Sequence, residues 1–215
     1  MFSVPTSKQT PDLELSENKA DCIKKLLAED GFCTWGLVIY RCTYRSDDDW
    51  NKFLRHFNLT MRCMLKQYNR LDLFNSYAPT VLEDKDFDGA TTSAIHGHFN
   101  KWVVTASERK QGILWKEAQN TKSPWNNFCI MVDEGALQSV LSILPQYLTE
   151  FEDKELAEIS DEADSQELIE GCTLEDVGWM KALYDYAQIN ATLDMHSMND
   201  WPVEYYRPPE VGFQF

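Results

Sequence analysis

Three stretches of this 215-residue chain hold side chains where metal or proton chemistry would want them. The first is EDKDFDGAT, Glu83 to Thr91, in which Asp84, Asp86 and Asp88 alternate and end on Gly89. A calcium loop of the helix–loop–helix type begins this way, and it needs a bidentate acid at its twelfth position. Counted from Asp84, that position is Ile95, which is apolar and spaced to share a helix face with Phe99 and Trp102. The stretch therefore predicts a turn at Asp88-Gly89 and a helix cap at Thr91 or Thr92. The second is HGHF. On a strand, His96 and His98 would point the same way and could share zinc; on a helix they diverge by about 200°. Ile95, Phe99, Trp102 and Val103 predict the helix, running to about Ala106, so no shared metal is expected. Either histidine alone stays as an acid–base candidate, and His96 is the one carried forward. The third is SDDDW, where Ser46 reads as a cap and Asp47, Asp48 and Asp49 as an acidic first turn favoured by the helix dipole. Asp133-Glu134, after an apolar run, reads the same way. No metal and no cofactor are expected.

A fourth group depends on the fold. Arg41, Lys181 and Asp185 are polar residues inside aromatic, strand-like stretches. Side by side in one sheet, among Trp35, Leu37 and Trp179, they would give apolar walls with a few convergent polar groups, as a ligand pocket requires. Arg41 and Lys181 would hold an anion or enolate, and Asp185 or His96 would move a proton.

The elements that must position them read as follows. Residues 17–30 predict a helix stopped by Gly31. TWGLVIYRCTY predicts a central strand, Thr34–Tyr44, apolar on both faces and therefore covered at least in part on both. A long amphipathic helix follows Ser46. Thr80–Glu83 predicts a short strand, 107–126 a polar loop with one short helix, and Phe128–Val132 a buried strand. Asp133-Glu134 opens a helix whose end Pro145 marks. Trp179–Ile189 predicts the last strand. With the first helix and the one after Gly89 set aside, the order is β-α-β-β-α-β, and the expectation is an α+β, ferredoxin-like antiparallel sheet with helices on one face. The domain expectation is a polar arm over 1–16 and one domain over 17–215, with an acidic insertion at 149–170 and an aromatic, proline-rich tail at 199–215.

The totals exclude more than they select. Thirty-five acids against 20 bases leave a net charge of −15, which repels phosphate backbones and anionic lipid. No apolar run reaches the ~20 residues of a membrane helix, and the N-terminus has no basic start followed by an apolar core. The expected location is cytoplasmic, with reduced thiols at six scattered cysteines that form no CxxC pair.

At TWGLVIYRCTYRSDDDWNKFL, FCIMVDE and GWMKALYDY…RPP, the chain resembles uncharacterised proteins of filamentous ascomycete fungi, over most of residues 31–212. Those motifs are strand and cap signatures, so the resemblance implies a fungal intracellular or host-delivered protein and carries no catalytic residue. Three functions follow from the sequence. One is a non-enzymatic protein that holds a protein partner, or a second copy of itself, through the acidic insertion or the tail. Another is a cofactor-independent enzyme of the dimeric α+β barrel type, acting on a small molecule at an open sheet face. The third, an RNA-recognition domain, is disfavoured by charge and by the lack of a basic aromatic signature in NNFCIMVDE.

Overall fold

The structure is a computed structural model that describes residues 18–118, 121, 123–150, 179–182, 184, 187, 189–195, 205, 208 and 211–212. The arm at 1–16, nearly all of the acidic stretch 149–170, most of the tail and Asp185 lie outside the described residues.

The chain opens with α1 (Lys19–Asp30), capped by the Asn18 side chain and stopped by Gly31 at φ 72°. Then come β1 (Val38–Arg41), α2 (Asp47–Gln67), a 3-10 turn at Leu71–Ser76, β2 (Thr80–Glu83) and a second 3-10 turn at Lys85–Phe87. Next are α3 (Thr92–Gln111), the one-turn helices α4 (Trp115–Ala118) and α5 (Pro124–Asn127), β3 (Cys129–Val132) and α6 (Glu134–Glu150). Last come β4 (Lys181–Ala182), α7 (Ile189–Asp194) and β5 (Val211–Gly212).

The main sheet has three strands in the order β2-β1-β3, all parallel. This overturns the antiparallel ferredoxin-like expectation, and α3 is the reason. Parallel neighbours need a long crossover, usually a helix. The helix at Thr92–Gln111 is that crossover from β2 to β3. Setting it aside as an insertion turned a βαβ step into a hairpin.

The alternation along β1 assigns each face its cover. Val38, Tyr40 and Cys42 pack under Ile95, Phe99, Val103 and Ala106 of α3. Ile39 points the other way, with Val132, into Trp50, Phe53 and Phe57 of α2 and Leu137 and Val140 of α6. Val38, Ile39 and Tyr40 are completely buried, as strands covered on both faces require. A third cluster docks α1 on the far end of α2, joining Ala20 and Ile23 to Met61, Leu65, Trp35 and Ile189. The buried ion pair Arg70–Asp21 ties the same corner, and Arg70 also grips Asp72 with two bonds of 2.9 Å.

Several element boundaries also differ from expectation, among them the end of α3, at Gln111 and not Ala106. β1 is shorter than Thr34–Tyr44 because Gly36, at φ +140° against the Pro79 backbone, interrupts it; Trp35 keeps a single bridge to Tyr77. α6 runs through Pro145 to Glu150. The strand expected over Trp179–Ile189 reduces to Lys181–Ala182, and Ile189 starts a helix. Among the described residues β4 pairs with β5, in a separate two-stranded sheet, so Lys181–Ala182 does not pair with β1.

Candidate functional site

In open parallel sheets, ligands bind outside the carboxyl ends of the strands, where successive connections leave toward opposite faces. Here β1 feeds α2 on one face and β2 feeds α3 on the other. The crevice between the ends of β1 and β2 is thus the place where this architecture would hold a ligand.

Side chains of the chain itself fill that mouth. Arg41, the last residue of β1, is only 5% exposed. Its Nε donates to the Thr43 carbonyl at 2.9 Å and its Nη2 to Asp47 Oδ1 at 2.5 Å. The guanidinium lies 4.3 Å from the Tyr44 ring centroid and 5.3 Å from that of Trp50. Trp50 Nε1 in turn donates to Glu83, across the gap to the end of β2. Thr43 Oγ1 donates to Glu134 at 2.5 Å and so fastens the start of α6 to the same edge. Gly89 N closes the turn after β2 onto the Cys42 carbonyl at 3.1 Å. The Tyr44 hydroxyl is buried against the Asp84 backbone with no hydrogen bond of good geometry. Burial raises its pKa, while Arg41 pulls the other way.

Acids form the outer layer. Asp47, Asp48, Glu83, Asp84, Asp86 and Asp88 are exposed at this edge, as is Asp133 on the β3 side. Several hold local structure as the sequence predicts. Ser46 Oγ accepts from Asp49 N at 3.1 Å, Asp133 Oδ1 from Ala136 N at 2.8 Å, and Thr91 Oγ1 from Ala94 N at 3.2 Å. Asp84 caps the 3-10 turn through Asp86 N at 3.0 Å, so EDKDFDGAT folds as a turn. Among the described residues, no three His, Cys, Asp or Glu side chains converge as metal ligands.

Of the predicted site residues, Arg41, Lys181 and His96 do not meet, and Asp185 lies outside the described residues. Arg41 is at the mouth, already held by Asp47. Lys181 is exposed on β4, in the other sheet. His96 is exposed on α3, with Nε2 3.2 Å from the Asn100 amide nitrogen. His98, two residues on and also exposed, lies on another side of the helix and meets the Tyr40 hydroxyl at 2.8 Å. Burial lifts the Tyr40 phenol well above its usual range and pushes the Cys42 and Cys129 thiols up to about 12. That burial favours the neutral thiol at both buried Cys42 and half-buried Cys129. Of the mouth residues, Thr43, Tyr44, Trp50, Glu83 and Glu134 were not singled out as a group. The Trp50–Glu83 bond joins residues 33 apart, which no local pattern encodes. A cleft of about 20 Å³ lies elsewhere, between Ile23, Leu27, Phe32, Trp35 and Pro124; it fits a water and no substrate.

No helix among the described residues is long and apolar enough to cross a membrane. The fold and site together define a small α/β domain with a three-stranded parallel sheet and a plugged, acid-rimmed carboxyl edge. No protein-family model, no curated protein and no solved structure matches the chain.

Proposed function

We propose that this protein works by binding: it holds a cationic protein partner at the acidic carboxyl edge of its sheet. The observation behind the reading is the plugged mouth. An enzyme of this architecture needs an open crevice between β1 and β2, and here Arg41, Tyr44 and Trp50 occupy it. What that edge offers to solvent is a layer of carboxylates. The same sign continues through 149–170, where the sequence has ten acids and one lysine. A surface of one sign steers partners of the other and repels polyanions. The rival reading, a cofactor-independent enzyme on an open sheet face, loses support because α3 covers that face and Lys181 stands on a different sheet from Arg41.

The test uses a labelled 20-residue Lys/Arg-rich peptide, titrated into the full chain at low and moderate salt. Binding is expected to saturate, to weaken with salt, and to drop in the triple variant Asp48→Asn/Asp86→Asn/Asp88→Asn. The control Glu29→Gln/Glu108→Gln/Glu117→Gln removes as many charges away from the edge and should bind like the parent chain. Equal losses in both triple variants would reduce the effect to net charge and overturn the reading.

A further inference from the structure

The outer face of α2 has the opposite sign from the rest of the molecule. Between Asp49 and Asp72 the sequence holds no acid at all, in a chain that has 35 of them. Within α2, Lys52, Arg55, Leu59, Arg62 and Lys66 follow one another at steps of three, four, three and four. At about 100° per residue this confines them to one stripe about 80° wide and about 21 Å long. All five are exposed, Leu59 by 48%. The stripe lies opposite the buried face formed by Trp50, Phe53, Phe57 and Met61.

Among the described residues only the first cation is neutralised. Lys52 reaches Asp48 at 2.7 Å and Asp49 at 3.1 Å. Arg55 has Asn51, Lys52, Asn58 and Leu59 at its three- and four-residue neighbours, and Arg62 has Asn58, Leu59, Leu65 and Lys66. Neither has an intrahelical carboxylate, and none of Arg55, Arg62 and Lys66 forms an ion pair among the described residues. Arg62 only leans over the Phe74 ring, 5.9 Å from its centroid.

We infer that this stripe is a docking surface for an acidic segment of a partner protein. Its occupant would carry carboxylates every three or four residues and one apolar side chain against Leu59. Charge complementarity selects the class, and the make-up of the stripe narrows it. A membrane surface needs a broad apolar face beside the cations, and the stripe offers Leu59 alone. Single-stranded nucleic acid needs aromatic platforms, and the stripe has none. Duplex DNA carries a charge every ~1.7 Å and would feel the −15 of the whole chain. A short acidic peptide presents few charges and meets only the local field.

The probe is a fluorescein-labelled 18-residue peptide with Glu at every third or fourth position and one central Leu. Titrated into the full chain, it should bind saturably and release with added salt. Arg55→Gln/Arg62→Gln/Lys66→Gln should weaken binding about tenfold, from three exposed charge contacts of the usual strength. Arg55→Lys/Arg62→Lys should retain it, and Leu59→Ala should weaken it a few-fold. These residues are exposed, so an unchanged melting curve shows that each variant folds. Asp48→Asn/Asp86→Asn/Asp88→Asn should leave this binding unchanged or stronger, so the stripe and the acidic edge succeed or fail separately. The inference is overturned if the triple Gln variant binds the peptide like the parent. It is equally overturned if an 18-nucleotide single strand or vesicles with anionic lipid bind the stripe more tightly than the peptide does.

Discussion

Gly36 sets where β1 begins, and replacing it with alanine tests the packing that fixes the sheet. Two costs add. At φ +140° the backbone is in a region that L side chains rarely adopt, and holding a residue there costs about 1–3 kcal/mol. The new Cβ would also lie 2.9 Å from Pro79 N, 3.0 Å from Pro79 Cα and 3.2 Å from Ala78 C. These are backbone atoms, two of them in the proline ring, so they cannot swing aside as a side-chain end would. Forced overpacking adds about 1–3 kcal/mol. Gly36→Ala should thus cost about 2–6 kcal/mol. For a chain of this size each kcal/mol lowers Tm by roughly 2–4 °C, and a drop on the order of 10 °C is expected. Two other glycines separate the terms. Gly31, at φ +72°, would put its Cβ in open space, so Gly31→Ala pays only the left-handed backbone, about 1–2 kcal/mol. Gly97, inside α3 with nothing within 4 Å, has neither problem, and Gly97→Ala should stabilise by about 0.5–1 kcal/mol. Urea denaturation of the three variants, with thermal melts alongside, gives the order directly. A Gly36→Ala midpoint equal to that of Gly31→Ala would refute the close approach of Pro79, and with it this account of the strand's start.

Arg41→Met should cost only about 1–3 kcal/mol by urea denaturation, because it removes the hydrogen bonds to the Thr43 carbonyl and to Asp47 and the ring contacts, and leaves Asp47, 81% exposed, in water. Arg70→Ala is the contrasting case: Asp21, with a side chain only 3% exposed, would lose its cation, for a loss of about 3–5 kcal/mol, and the double variant Asp21→Asn/Arg70→Met should recover most of it. His56 is buried on α2 with Nδ1 2.8 Å from the Tyr184 hydroxyl, and burial lowers its pKa from the ordinary 6.5. Between the lowered value and 6.5 the unfolded chain holds the proton and the folded chain does not. Its share of the stability is therefore present above pH 6.5 and fades as the pH falls through the folded value. Urea midpoints at pH 7.5 and 5.5 should fall less in His56→Gln than in the parent.

What could be read from the sequence was local. Ser46 and Thr91 mark the starts of α2 and α3 because a hydroxyl one step before an apolar helical pattern has one obvious job. Thr80–Glu83 and the end of β3 at Val132 were found because turn and cap residues bound them. The direction of the sheet was also signalled, since Val38, Ile39 and Tyr40 leave no polar face, and a strand covered on both sides belongs in a parallel sheet. That signal lost to the habit of pairing strands that follow each other. Trp179–Ile189 misled for a different reason. Its aromatic alternation satisfies a strand template, yet Ile189 and Thr192, both buried and three apart, belong to a helix. At the site, Arg41 stood out as a cation on an apolar strand. Its partner Asp47 is six residues on, and had already been explained by the helix dipole. One residue can do both jobs, and a one-dimensional reading stops at the first. The α2 stripe was hidden by its own spacing: Phe53, Leu54, Phe57 and Met61 separate its cations, so no basic run appears until the helix is wound.

The two charge surfaces are not explained equally by helix physics. Asp47, Asp48 and Asp49 occupy the first turn of α2 and Lys66 its last, where the dipole alone favours those signs. That preference fades within one turn of each end. Arg55 and Arg62 are at mid-helix, beyond its reach and without a carboxylate neighbour among the described residues, so capping, dipole and pairing within the described fold do not account for them. Solubility does not account for them either, because in a chain of net charge −15 each added cation reduces the net charge that keeps molecules apart. An outward-facing contact of the kind inferred above gives a physical reason for two arginines, about two helical turns apart, that no described carboxylate pairs, on a helix whose other face is committed to the core. The same geometry fixes how two partners would sit. The edge and the stripe meet where Lys52 is tied to Asp48 and Asp49, so a basic partner and an acidic one bound together would approach within the length of one helix, near enough to touch each other.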